Sequence, residues 1–96
     1  MTINDKMKQF FDFLLSHKIP KMIHKKSDAK LLELYYEYSP KYYHSSDLKN
    51  HIQGAIVVYA IGEEFKKRYP KSMILQNWDY KEQLDLYKIV ETQSMK

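Results

Sequence analysis

The chain predicts an all-α domain of four to five helices. Three observations predict it: apolar residues recur at helical spacing in several windows, no alternating period-two run of strand length occurs, and glycine and proline together number only five in 96 residues. Residues 1–96 are expected to form a single domain with one modest core, because 44% hydrophobic and 15% aromatic residues exclude a disordered chain at this length.

The three prolines, at 20, 40 and 70, are each followed by lysine. The residue before a proline is pushed out of the helical region, so helices are expected to end near each one. The first predicted helix covers roughly 4–18, with Met7, Phe10, Phe11 and Leu14 as one apolar stripe and Thr2 with Asp5 as a capping-box variant. Residues 20–26 read as a basic loop or a single helical turn.

The second predicted helix runs from about 28 to 38. Ser27 is its N-cap, Asp28 suits the positive end of its dipole, and Leu31, Leu34, Tyr35 and Tyr38 face inward. The third begins after Ser45-Ser46-Asp47 and reaches about Tyr69. Its middle, AIVVYAIG, is apolar almost all round, as expected of the buried centre of a bundle. Gly54 and Gly62 either allow close helix packing or divide it into two helices. The segment SMILQ reads as a turn or a short extended stretch. The fourth helix is expected to be capped by Asn77 and to span about 78–92, with Tyr80, Leu84 and Tyr87 on one face. PKMIHKKSDAK at 20–30 echoes PKYYHSSDLK at 40–49, and shared loop chemistry before a Ser-Asp helix start is the better reading of that echo.

With no cysteine, the chain excludes a disulfide scaffold and a thiolate zinc site. No apolar run is long enough to span a bilayer. The opening MTINDKMKQFFDFLL carries Asp5 and Asp12 and no small-residue cleavage site, so it does not read as a signal peptide; a cytoplasmic protein without membrane contact is expected. Net charge is +4 and unevenly placed. Residues 17–30 hold five lysines against Asp28 alone, 66–71 add Lys66, Lys67, Arg68 and Lys71 without an acid, and from residue 72 three lysines meet four acids. Such a distribution suits a polyanion or an acidic protein face, against the plainer reading of a solvated lysine-rich surface.

Catalytic sets are missing from the sequence. There is no Gly-x-Ser-x-Gly, phosphate-cradling glycine loop or HExxH. The histidines, at 17, 24, 44 and 51, form pairs seven apart, whereas helical metal ligands need three or four; surface or capping roles are the expectation, with no metal and no cofactor. Glu63 and Glu64 are helix neighbours that point apart and are expected to be solvated. The most distinctive feature is the crowding of Tyr35, Tyr36, Tyr38, Tyr42 and Tyr43 around Pro40, beside Lys41 and Lys49. Packing in the core is the first reading of these rings, an interface anchor the second, and base stacking the third.

Three segments, in order, resemble the YozE family of small Firmicute proteins: KQFFDFLLSHKIPK at 8–21, YEYSPKYYHSSDLKNHI at 36–52 and NWDYKEQLDLY at 77–87. The resemblance implies a four-helix fold similar to sterile alpha motif domains, and a binding role rather than an activity. Two departures stand against it: AIVVYAIGEEFKKRYPKSMILQ at 55–76 is longer than the family's usual link, and this chain is basic where those relatives are acidic. Relatives of the domain on staphylococcal mobile elements accompany replication genes, so the resemblance implies an accessory of a replication enzyme, with a DNA polymerase as protein partner and DNA as a second one. In that expectation Lys21, Lys25, Lys26, Lys41, Lys67 and Arg68 contact phosphates, and Tyr36, Tyr42 or Tyr43 stacks on a base or anchors the partner. The competing expectations are an inhibitor or immunity-type protein that binds protein alone, and self-association.

Overall fold

The computed structural model describes residues 19–94, and the side chains of 21–93. The first predicted helix, with its cap and with His17, lies outside the described residues. Those described form an all-α bundle: α1 Ile19–His24, α2 Asp28–Tyr43, α3 Leu48–Arg68, α4 Met73–Gln76 and α5 Leu86–Ser94. No strand occurs among them, and no helix is long and apolar enough to cross a membrane.

The starts of α2 and α3 follow from capping chemistry. Ser27 Oγ accepts from Lys30 N at 3.2 Å and Asp47 Oδ2 from Asn50 N at 3.3 Å, each filling one of the donors a helix start leaves open. Central α3 carries Ala55, Val58, Ile61 and Phe65 inward, each almost wholly buried. It packs along α2, whose Leu31, Leu32 and Tyr35 are buried, and takes α1 and α4 against other faces. Leu32 therefore belongs to the inward face, while Leu34 and Tyr38 sit at its margin.

α3 is one continuous helix, and its glycines serve close packing. A Cβ at Gly54 would sit 2.5 Å from Tyr42 N and 2.9 Å from the Lys41 carbonyl carbon, so the α2 backbone rests directly on this position. At Gly62 the neighbour is the ring of Tyr80.

Three expectations are corrected. α2 does not stop at Tyr38 but continues through Pro40 to Tyr43. Proline costs the helix one donor, yet the last turn is held from outside. His51 Nδ1 donates to Tyr42 O at 3.0 Å, the glycine notch receives the backbone, and His44 N closes onto Pro40 O at 2.9 Å. SMILQ is neither turn nor extended: Ser72 caps the short helix α4 through Leu75 N.

The third correction is larger. Residues 77–85 are not helical, and α5 begins only at Leu86. Within 77–86 the odd positions are exposed, whereas Trp78, Tyr80 and Leu86 are buried and Leu84 is half-buried. Glu82, in the bend at 80–82, is exposed and interrupts that pattern, so the segment runs irregularly rather than as one extended stretch. Side chains, not a neighbouring strand, satisfy its backbone. Tyr35 Oη donates to Leu84 O and accepts from Leu84 N, both at 3.0 Å. Tyr43 Oη donates to Tyr80 O at 3.0 Å and Glu82 O at 3.1 Å, and Trp78 Nε1 donates to Glu82 O at 2.7 Å. Tyr80 itself adopts φ 68°, uncommon for a residue with a side chain. Its ring stacks on Tyr59 at 4.4 Å, lies under Lys66 Nζ at 4.7 Å and donates its hydroxyl to Glu63.

Candidate nucleic-acid interface

The two basic segments of the sequence lie some forty residues apart, and Arg68 joins them. From the last turn of α3 its Nη1 pairs with Asp28 Oδ1 at 2.6 Å and its Nε with Glu64 Oε2 at 2.8 Å. Its Nη2 donates to Lys26 O at 2.6 Å and His24 O at 3.2 Å. A helix ends with carbonyls that have no partner of their own, so the guanidinium serves as a C-terminal cap for α1. Tyr69 Oη adds a bond to Asp28 Oδ2, and His24 Nδ1 lies 3.3 Å from Glu64 Oε2. Burial works against the charge on Arg68, but the hydrogen bonds to Glu64 and Asp28 more than offset it, so its pKa lies above the ordinary value.

This clamp corrects the expectation for Glu64. Its side chain is only 7% exposed, and the i, i+4 spacing to Arg68 places the two on one helix face. Glu63 is exposed and accepts from Tyr80. Arg68 faces inward, committed to two carboxylates and two to three carbonyls, so its part at this end is to hold the scaffold.

Around the clamp Lys21, Lys25, Lys67 and Lys71 are exposed and Lys26 is half-buried; among the described residues none of the five is in an ion pair. The carboxylates of Asp28 and Glu64 are taken up by Arg68 and, among the described residues, do not pair with these lysines. Lys41 is not part of this end. It stands in the last turn of α2, about 20 Å along the axis from Asp28, with Nζ 5.0 Å from the centre of the Tyr38 ring.

The tyrosines divide in two. Tyr35 is fully buried; Tyr42 and Tyr43 are half-buried with hydroxyls engaged inside, Tyr42 with Tyr59 Oη at 3.4 Å. Burial raises the pKa of Tyr42, Tyr43 and Tyr80, and pushes Tyr35 up to about 12 against the opposing effect of its bond to Leu84. Tyr36 is different. It is half-buried too, but its hydroxyl is bonded to exposed Asp85 and its ring is stacked on exposed Tyr87 with centroids 4.9 Å apart. Asp28 and Glu64 as clamp carboxylates, and Tyr87 as partner of Tyr36, went unread in the sequence. The spacing of Glu64 and Arg68 was the available signal for the first. Nothing in the local sequence pairs Tyr36 with Tyr87.

Among the described residues no group of three or more His, Asp or Glu side chains converges on a point that could hold a metal ion. His44 is exposed past the end of α2, and His51 bonds to the α2 backbone. No family model, curated protein or solved structure matches the chain.

Proposed function

We propose that the chain is a non-enzymatic accessory protein that binds nucleic acid through the basic end around Arg68 and docks on a replication enzyme of the polymerase or primase type. One observation carries the nucleic-acid half: two lysine-rich segments distant in sequence are bracketed together by a neutralised internal clamp, and Lys21, Lys25, Lys26 and Lys67 around it are in no ion pair among the described residues. Lys21, Lys25, Lys26 and Lys67 are the phosphate contacts in this proposal, with Arg68 as the residue that positions them. Phosphate contact by lysine is sequence-independent and releases counterions. The docking half, the sterile-alpha-motif-like fold and a place in the YozE family rest on the resemblance of the three sequence segments.

The test is fluorescence anisotropy with labelled single- and double-stranded oligonucleotides across a salt series. Four phosphate contacts give a slope of log affinity on log salt of about −3 for a single strand. Reversing two exposed charges, Lys25→Glu with Lys67→Glu, should abolish retention at moderate salt. An affinity indifferent to salt, or unmoved by the reversal, would overturn the phosphate contacts. Recovery of a polymerase from lysate that survives nuclease tests the docking half. A second reading, an inhibitor that binds protein alone, draws on exposed Tyr87, stacked on half-buried Tyr36, since tyrosine is a frequent anchor in protein interfaces.

A further inference from the structure

Away from the basic end, the non-helical segment 77–85 and the start of α5 border two shallow grooves that meet at Leu84. One, of about 430 Å³, is lined by Tyr36, Gln83, Leu84, Asp85 and Tyr87. The other, of about 320 Å³, runs past Ile74, Trp78, Asp79, Lys81, Glu82 and Leu84, with Lys81 Nζ 3.9 Å from Asp79 Oδ2. The first has a rigid aromatic wall. Tyr36 stands edge-on to buried Tyr35 at 5.0 Å and 88°, donates to Asp85 Oδ1 at 3.2 Å, and stacks on Tyr87 at an interplanar angle of 17°. Tyr87 remains 54% exposed, and Ile74 60%. Asp85 Oδ1 also accepts from Lys88 N at 3.2 Å, which caps α5, while Oδ2 has no partner among the described residues.

Charge separates this face from the rest of the chain. Between 79 and 91 stand Asp79, Glu82, Asp85 and Glu91 against Lys81 and Lys88, on a chain whose net charge is +4. Glu33, three residues before Tyr36 on α2, adds a further carboxylate, paired with Lys30 at 3.5 Å. A phosphate brought here would meet the acids of the 79–85 segment. A guanidinium would meet a tyrosine face and an open carboxylate oxygen together, the combination a planar delocalised cation matches best.

We infer that these joined grooves bind an extended, positively charged segment of a partner protein, one arginine stacking on Tyr87 and pairing with Asp85 while a neighbouring apolar side chain seats beside Leu84 and Ile74. The aromatic wall is already fixed by its internal contacts, so little ordering opposes binding. The site is separate from the basic end, so nucleic-acid affinity there can fail without touching it.

The experiment follows the full chain by NMR during titration with a short blocked peptide in which arginines flank a leucine. The probes beside it are the same peptide with glutamate for arginine, and a single-stranded oligonucleotide. The arginine peptide should shift the backbone amides of 83–88 and the Trp78 indole. Tyr87→Ala should weaken that response about tenfold, and Asp85→Asn, which keeps the α5 cap, several-fold, each with unchanged thermal unfolding. The site is overturned if the arginine peptide shifts other residues or none, or if the variants bind as the parent does. An equal response of 83–88 to the glutamate peptide or the oligonucleotide overturns it as well. Loss of the oligonucleotide response at Lys25 and Lys67 would count only against the basic end.

Discussion

Arg68 is the only arginine among sixteen basic residues, and lysine could not replace it. Its planar fork reaches two carboxylates and the carbonyl end of α1 at once, where an ammonium would serve as a single point charge. Removing one partner of a largely buried pair leaves the other charge uncompensated, so Arg68→Met should lower stability by about 3 kcal/mol. Arg68→Lys, which keeps charge without the fork, should lower it by about 1–2 kcal/mol. Urea unfolding measures both, and adding Glu64→Gln to Arg68→Met should recover part of the loss. If the basic end is the nucleic-acid interface, Arg68→Lys also weakens oligonucleotide binding, because α1 and its lysines lose their bracket.

At the scale of elements, the segment 77–85 is held by hydroxyls that reach across the molecule. Tyr35→Phe keeps the ring and deletes the group that satisfies both backbone atoms of Leu84. Leaving a buried donor and acceptor unmet costs about 1–3 kcal/mol, and hydrogen exchange should show the Leu84 amide losing its protection ahead of the amides in α3. The same segment marks where the sequence was hard to read. The starts of α2 and α3 were legible because Ser27 and Asp47 cap locally, within three residues. The course of 77–85 was not, since what fixes it lies 37–49 residues away in Tyr35 and Tyr43. Tyr80, Leu84 and Tyr87 also satisfy a plausible helical spacing, which hides the irregular course of NWDYKEQLD. The lysines of the basic end were found by composition alone, but their convergence was not, because it depends on one long-range guanidinium.

For the whole molecule, the tyrosine-rich interior sets an alkaline limit. Burial holds Tyr35 near 12 and raises Tyr42, Tyr43 and Tyr80, while an unfolded tyrosine ionises near 10. The folded state favours the protonated hydroxyl, so this contribution is complete below pH 10 and drains away as pH climbs through 12. Tyr35 alone accounts for roughly 3 kcal/mol across that window. Circular dichroism and tyrosinate absorbance followed together should change in one cooperative step above pH 10, whereas separate transitions would mean that these hydroxyls ionise without unfolding. The left-handed turn at Tyr80 gives the same interior another meaning. Tyr80, Leu84 and Tyr87 fall at helical spacing, but only the part from Leu86 on is helical; ahead of it the Tyr80 ring sits in the Gly62 notch under Lys66 Nζ. The Tyr80 ring in its glycine notch is thus one of the contacts, beside the Tyr35 and Tyr43 hydroxyls, by which the core sets the course of 77–85.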